Sequence, residues 1–380
     1  MPKTHSAPYL IAQAATVFIA SGSSPQEAET VASNLVMANL SGHDSHGIGM
    51  LPRYVDAVLE GGLIPNASVA TLLDIGSMLT LNGQRGYGQV VGEQAMALGM
   101  ARAKKHGSCI MTLANAHHLG RIGHFAEMAV VQGLVSIHFV NVLSRPVVAP
   151  WGGSDGRFGT NPFCVGIPVA TRQSERSDGP PLASSAPQGG SAVREATSVR
   201  ANSFILDFAT SAVAHGKMRV AHNQGQQVKP GLLMDEHGLP TTNPSVVMVP
   251  QPGGLMGALM VFGEHKGYGL AVACELLGGA LTGNGTWRGP ASGQRAVVNG
   301  MLTILIDPAR LGTQAAFGQE AAAFIDWIKQ SPVANGFDAV KMAGDAERLT
   351  RIERQRDGIE VDDQTWQEIV AAGKKVGVTL

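Results

Sequence analysis

The chain has 380 residues, of which 44% are apolar and only 15% charged, and its formal net charge is −1. That length suits two domains around a large buried core, and the near-neutral balance lacks the basic stripe of a nucleic-acid binder. Cys109, Cys164 and Cys274 are dispersed and form no CxxC, which argues against a disulfide frame and a thiolate zinc site and fits a reducing compartment.

Leu10, Ala14, Val17 and Phe18 recur at helical spacing, so Tyr9 to Ala20 is expected to be an amphipathic helix rather than a signal peptide. No run of about 18 apolar residues predicts a membrane span, and the expected location is the cytoplasm. Ser24-Pro25-Gln26-Glu27 carries a capping residue, a first-turn proline and a capping-box Glu. Leu51 to Leu59 is a further helix. Ser77 to Leu81 reads as a strand ending at Asn82-Gly83, and Gln89 to His106 as a helix stopped by Gly107. Strands are then expected at Ser108–Leu113, Leu134–Val140, Phe163–Pro168, Ser203–Phe208 and Met301–Ile306, with a helix from Gly123 to Gln132. Lys266 to Leu281 looks like a buried helix, apolar nearly all round. Helices return at Gln319–Lys329 and Asp363–Lys374. This alternation predicts an α/β sheet covered by helices. Residues 171–200, rich in Ser, Pro and Gly, read as a surface insertion.

Two glycine-flanked histidine clusters stand out, His43-Asp44-Ser45-His46-Gly47 and His117-His118-Leu119-Gly120-Arg121-Ile122-Gly123-His124. Histidine is the side chain best suited to proton transfer near neutral pH. A metal site drawing on His43, Asp44 and His46 with His117 or His118 is the competing reading, serving a metal-dependent lyase or hydrolase. HExxH and helical HxxxH spacings are both missing from these clusters. The glycine-rich segments 83–88 and 263–269 match neither GxGxxG nor a P-loop. Gly267 would open a helix with N–H groups free for an anion. Asp207 to Ser211 suits ligand contacts and also helix capping, and Gly159-Thr160-Asn161-Pro162 is turn chemistry by default with ligand contact as the functional reading.

Taken in order, His43 to Gly47, His118-Leu119-Gly120, Gly159 to Pro162, Leu206 to Ser211 and His265 to Gly269 resemble the malate/L-lactate dehydrogenase family of the second type. The resemblance implies a fold of the sulfolactate-dehydrogenase-like type, not Rossmann: a three-layer α/β/α mixed sheet with a helical domain formed from both chain ends. Residues 1–75 and 308–380 would form the helical domain and 76–307 the nicotinamide-binding domain. It implies an NAD- or NADP-dependent enzyme interconverting a 2-oxo acid and a 2-hydroxy acid, working as a homodimer. His118 would be the catalytic acid–base, helped by His46 and Ser45. Cofactor contacts would fall on His46, Gly120, Arg121, Ile122, Asp207, Phe208, Ala209, Thr210, Ser211 and Lys266, and substrate contacts on Met50, Tyr54 and Asn161, with no metal. Met50 stands where many members carry an Arg, which points to an aromatic or apolar side chain on the substrate, as in phenylpyruvate. Malate/lactate-type and cyclic-imine carboxylate substrates are the alternatives. Arg53, Arg121 and Arg145 are open candidates for the 1-carboxylate.

Overall fold

The structure is a computed structural model that describes residues 3–169, 203–288 and 297–380. The stretch 171–200 therefore lies outside the described residues.

Short strand β1 (Lys3–His5) leads into helices α1 (Ala7–Ala20) and α2 (Pro25–Leu40). Ser24 caps α2 by accepting the Glu27 N–H at 3.2 Å. Glu27 does not close the capping box; its carboxylate instead accepts the Asn66 N–H. Helix α3 (Leu51–Leu59) packs Tyr54 against Phe18 beneath α1 and α2. The apolar faces of these helices share a core with residues from the other chain end, Ile359, Ile369 and Ala372.

The second core surrounds a seven-stranded mixed sheet. In chain order its first members are β2 (Ala70–Ile75), β3 (Met78–Asn82), helix α4 (Gly88–His106), β4 (Ser108–His117), helix α5 (Gly123–Val131) and β5 (Val135–Leu143). Then come β6 (Pro162–Ile167), β7 (Phe204–Ala209) and helix α6 (His215–Asn223). A small antiparallel sheet follows, made of β8 (Leu233–Met234), β9 (Pro240–Thr241) and β10 (Ala258–Leu259), with helix α7 (Ser245–Met248) between the last two. Helix α8 (Glu264–Cys274) precedes β11 (Val298–Ile306), and the chain ends with α9 (Gln314–Lys329), α10 (Asp345–Asp357), β12 (Ile359–Val361) and α11 (Asp363–Lys375). The order across the large sheet is β2-β3-β4-β11-β5-β6-β7. Among the described strands of this sheet, only β3 and β4 pair in parallel. Helices α4 and α5 cover one face, and α8 with the turn after it covers the other. The layering is α/β/α, with helices drawn from both chain termini. Among the described residues no helix is long and apolar enough to cross a membrane.

Gly107 ends α4 at φ 90°, the left-handed cap that only glycine adopts without strain. The stretch expected to be one all-apolar buried helix behaves differently. It is α-helical to Cys274, becomes a π-helical turn over Glu275–Ala280, and leaves Leu276 and Leu281 exposed. Its buried face holds Glu275, Gly278 and Gly279, and a Cβ on Gly278 would lie 2.6 Å from the Asn141 backbone N.

A buried ion cluster joins α10 to the sheet layer. Glu127 on α5 pairs with Arg121 at 2.6 Å and with Arg351 on α10, and Arg351 Nε donates to Ser41 Oγ at 2.8 Å. Burial alone would raise the Glu127 carboxyl, but the two guanidiniums overcome it and hold the group at about 2. Because this pKa is depressed on folding, the stabilisation is present above the ordinary carboxyl range and lost as pH falls toward about 2. Glu127→Ala strands two buried cations. The expected cost is about 3–5 kcal/mol, read as a lower denaturant midpoint at unchanged slope.

Candidate active site

Strand β4 ends at His117, and the next residue, His118, faces the helical core. His118 Nδ1 lies 2.7 Å from the Tyr54 hydroxyl, and His118 Nε2 lies 3.2 Å from His46 Nδ1. The two imidazoles stack with centroids 5.2 Å apart. Gln89 Nε2 donates to the Tyr54 oxygen at 2.7 Å. With that lone pair engaged, the Tyr54 O–H points to His118 Nδ1, and the neutral ring carries its proton on Nε2, toward His46. Burial, then His46, His117 and Arg53, hold the His118 pKa well below the usual imidazole range. Burial, then His43 and Arg121, lower His46 to about 4. Burial raises Tyr54, so its hydroxyl keeps its proton.

Backbone approach fixes this corner. A Cβ on Gly88, the first residue of α4, would lie 2.3 Å from the His118 carbonyl oxygen, so the helix start presses directly on the strand end. Asn299 of β11 accepts the Leu119 N–H at 2.9 Å and donates to the Asn141 carbonyl at 2.9 Å. On the other side, Asn39 accepts the Ile48 N–H at 2.7 Å and donates to Asp44 at 2.6 Å, closing the turn that holds His46. Gly47 admits this clamp, because a Cβ there would sit 2.3 Å from Asn39 Oδ1.

Cations gather next to the histidines. Arg53 follows Gly49 by one helical turn, and Arg219 Nη2 comes within 3.1 Å of where a Gly49 Cβ would be. Arg145 Nη2 donates to the Val247 carbonyl at 2.6 Å and lies 3.4 Å from His215 Nε2. Burial, then Arg219 and Arg145, lower Arg53. Burial, then Arg145 and Arg53, lower His215 to about 4.

The other expected site residues divide clearly. Tyr54 joins the histidine pair, and Ser45 lies against α6, where a Gly216 Cβ would approach its Cβ to 2.5 Å. Asn161 does not reach the cleft as a free group. It is fully buried, accepting the Val142 N–H and donating to the Ala271 carbonyl and Glu275. Met50 is 6% exposed and packs in the helical core. Arg121 is held by Glu127, which removes it from the candidates for a substrate carboxylate. Gly120 and Ile122 are buried beside it, Gly120 at φ 78°. Asp207 Oδ2 accepts the Gly123 N–H at 2.7 Å, Thr210 Oγ1 donates to the Thr160 and Asn161 carbonyls, and Ser211 Oγ donates to that of Val213. Phe208 stacks edge-on with Phe163 and Phe262, and Ala209 pairs with Pro162 at the end of β7. Lys266 is exposed in the first turn of α8, which begins at Glu264, not at Gly267. Gly267 is buried, because a Cβ there would meet the Phe262 carbonyl at 1.8 Å.

Two of the donors named for a metal are engaged in ion pairs. His43 pairs with Glu347 at 3.2 Å, Asp44 pairs with Arg354, and His124 pairs with Glu93 at 2.8 Å. Among the described residues no group of three or more His, Cys, Asp or Glu is placed to hold a metal ion. His117 is buried, edge-on to Tyr54, and lowered by burial to about 3. Sequence patterns did not reveal Gln89, Asn299, His215 or Arg219. The one available signal was the polar Asn299-Gly300 pair interrupting the apolar run of β11.

Comparison with known proteins agrees with this architecture. A family model described as malate/L-lactate dehydrogenase matches residues 6–178 and 180–370. Hydroxycarboxylate dehydrogenase B of Escherichia coli (strain K12) is 44% identical over 364 residues, spanning 95% of this chain and 91% of the relative. The L-lactate dehydrogenase of Cupriavidus necator is 34% identical, spanning 93% and 92%. The sulfolactate dehydrogenase structure from Methanocaldococcus jannaschii superposes with a TM-score of 0.80 at 27% identity, covering 99% of this chain and 98% of the other. The chain thus belongs to the malate/L-lactate dehydrogenase family, with the non-Rossmann fold of that family, and is an NAD(P)-dependent oxidoreductase that interconverts a 2-oxo acid and a 2-hydroxy acid.

Proposed function

We propose that this cleft reduces and re-forms a 2-oxo acid of the malate/lactate kind, with His118 moving the proton and Arg53 holding the carboxylate beside the reacting carbon. The observation that carries the reading is the hydrogen-bonded run Gln89–Tyr54–His118–His46. When bound, a nicotinamide cofactor would supply or take the hydride at C4. The residues present fit such a group. Helix α8 starts without a side-chain cap, and His265 and Lys266 are exposed in its first turn, a donor set suited to the cofactor phosphates. His46 and Ser45 would meet the ring beside the substrate, and the segments Gly120 to Ile122 and Asp207 to Ser211 would supply further cofactor contacts.

In reduction, charged His118 gives its Nε2 proton to the 2-oxo oxygen and is left neutral with Nδ1–H toward the Tyr54 oxygen; in oxidation this tautomer takes the proton back at Nε2. Tyr54 serves both states. Its oxygen accepts from Nδ1–H when the ring is charged and after Nε2 has given its proton, and its O–H donates to Nδ1 in the free site, where the only ring proton is on Nε2. Tyr54 is therefore a positioning residue, itself buried in the helical core. The aromatic-substrate expectation rested on Met50, and that side chain lies in the helical core. Malate/lactate-type substrates fit the cation-lined cleft better. The open apolar side chains Phe324 (63% exposed), Trp327 (71%) and Phe337 (72%) support a homodimer in which a second copy covers α9 and the segment after it.

Four measurements test these statements. His118→Asn should lower kcat for 2-oxo acid reduction by about 10²–10⁴; near-equal kcat removes His118 from the proton-transfer role. Because kcat/KM reports the free enzyme, and His118 is depressed there, reduction should fall about tenfold per pH unit across neutrality while oxidation stays level. Tyr54→Phe should lower kcat about 10- to 100-fold, with the KM for the cofactor nearly unchanged. Light scattering should give twice the chain mass, and a monomer at micromolar concentration would overturn the dimer.

A further inference from the structure

Tyr54 stands between two groups with opposite needs. In the free site its oxygen accepts the Gln89 Nε2–H at 2.7 Å, and its O–H donates to His118 Nδ1, also at 2.7 Å. That arrangement leaves the single ring proton on Nε2. This tautomer can do neither half of the reaction. It has no second proton to give to a 2-oxo oxygen, and no lone pair on Nε2 to take one from a hydroxy acid. Both reactive forms, the charged ring and the neutral Nδ1–H ring, carry a hydrogen on Nδ1, and the Tyr54 oxygen must accept it. The Tyr54 O–H then has to find another acceptor, inside a core where Tyr54 and Gln89 are both fully buried.

An acceptor is already present on the same amide. Among the described residues Gln89 Oε1 is buried and has no hydrogen-bond partner, although a buried amide oxygen is normally satisfied. Half a turn about the last side-chain bond exchanges Oε1 with Nε2. The two bond lengths differ by only about 0.1 Å, so Oε1 would arrive at hydrogen-bond distance from the Tyr54 oxygen. That torsion is broad and two-fold in glutamine. The surroundings leave the amide room, because Gly120 has no side chain where a Cβ would stand 3.3 Å from Gln89 Nε2. The Asn34 amide borders the same point at 3.2 Å, and its Nδ2 is likewise buried without a partner. We propose that Gln89 is a positioning residue whose amide turns with the proton on His118: Nε2 toward Tyr54 holds the resting tautomer, and Oε1 toward Tyr54 admits the two reactive forms. Uptake of one solvent proton converts the first arrangement into the second. The ring then holds both Nδ1–H and Nε2–H, Nδ1–H donates to the Tyr54 oxygen, and the Tyr54 O–H donates to Gln89 Oε1. The charged and titratable groups facing His118 are His46, His117 and Arg53, and those facing Tyr54 are Tyr87 and Arg53. None of these is a carboxylate, so the turned amide is the local means of accommodating the charged ring before an anion arrives. The inference rests on the reading above for what His118 does to substrate, but not for the amide and the tautomer it sets.

Two readouts separate the amide from the chemistry. The first is imidazole nitrogen NMR of the unliganded protein, with the His118 signals identified by their loss in His118→Asn; it needs neither cofactor nor turnover. In wild type the neutral ring should carry its proton on Nε2. In Gln89→Glu, at about pH 8, the carboxylate can only accept. The Tyr54 O–H should turn to it and the His118 proton move to Nδ1, with the His118 titration midpoint raised by at least about one pH unit. The second readout is kcat/KM in both directions. In Gln89→Glu the fall of reduction with rising pH should begin at least about one unit higher. Gln89→Met, which can neither donate nor accept a strong hydrogen bond, should lower both directions about 10- to 100-fold, with the KM for the cofactor nearly unchanged. A ring proton that stays on Nε2 in Gln89→Glu overturns the proposal. So do rates within about threefold of wild type in Gln89→Met, or equal, pH-independent losses in the two variants, which would make Gln89 a packing brace only. A tautomer that moves in Gln89→Glu while His118→Asn keeps its kcat would sink the proton-transfer reading and leave the turning amide standing. Loss of kcat in His118→Asn with an unmoved tautomer in Gln89→Glu would do the reverse.

Discussion

The site depends on one strand insertion. β11 enters the sheet between β4 and β5, antiparallel to both, from a point more than 150 residues beyond either neighbour in the chain. Its entry brings Val298 opposite His117 and lets Asn299 take the Leu119 N–H, so the turn carrying His118 is held by a residue with no local connection to it. The insertion needs bare backbone. A Cβ on Gly300 would lie 2.1 Å from the Gly278 carbonyl, and one on Gly279 would lie 2.4 Å from Asn141 Nδ2. Asn141 and Asn284 then satisfy the polar groups that this close packing buries. A side chain at 300 would lift the π-helical turn from the sheet and loosen the asparagine network that fixes the end of β4.

With position fixed, electrostatics sets the reactivity. His46 and His118 are in hydrogen-bond contact, so a proton charge on one opposes a charge on the other, and the pair holds at most one under ordinary conditions. Arg53 adds further positive potential, and the free cleft keeps His118 neutral. An anionic substrate reverses this. Its carboxylate offsets the guanidinium field at the moment the acid is needed, and the His118 pKa rises toward the range where a proton is available. The cations that suppress His118 in the free protein are therefore the groups that let substrate arrival activate it, and a neutral molecule in the same cleft would lack that effect.

How much of this could be read in advance follows from the range of each interaction. Helix starts and stops were legible, because Ser24 capping and the Gly107 stop act within one turn. The two histidine clusters stand out in the sequence by their glycine flanks, and the structure brings His46, His118 and Tyr54 into contact. What failed was long-range or depended on burial. Asn161 looks like a ligand residue in a turn, but the packing of α8 against β5 and β6 converts its amide into an internal brace. Met50 was read by substitution of one residue type for another, and the structure turns it into the helical core while Arg53, Arg145 and Arg219 bring the positive charge to the cleft. Arg219 sits on a polar helix without apolar period, and nothing local distinguishes it from a solvated charge. Helix α10 was invisible for the same reason, since Asp345 to Asp357 presents almost no apolar stripe.

That polar helix is held by charge where the others are held by burial, and this shapes how the two cores meet. Arg351 reaches Glu127 and Ser41, while Arg354 reaches the Asn39 carbonyl and Asp44. Asp44 in turn is bound by Asn39, which clamps the turn carrying His46. The same helix thus touches both sides of the cleft, through α5 below His118 and through the turn bearing His46. The two contacts differ in exposure. The Arg351–Glu127 pair is nearly buried and resists screening, whereas Arg354 and Asp44 are open to solvent and their attraction fades with salt. Loss of the outer pair would leave the His46 turn to the Asn39 clamp alone, while the His118 turn stays anchored by Asn299.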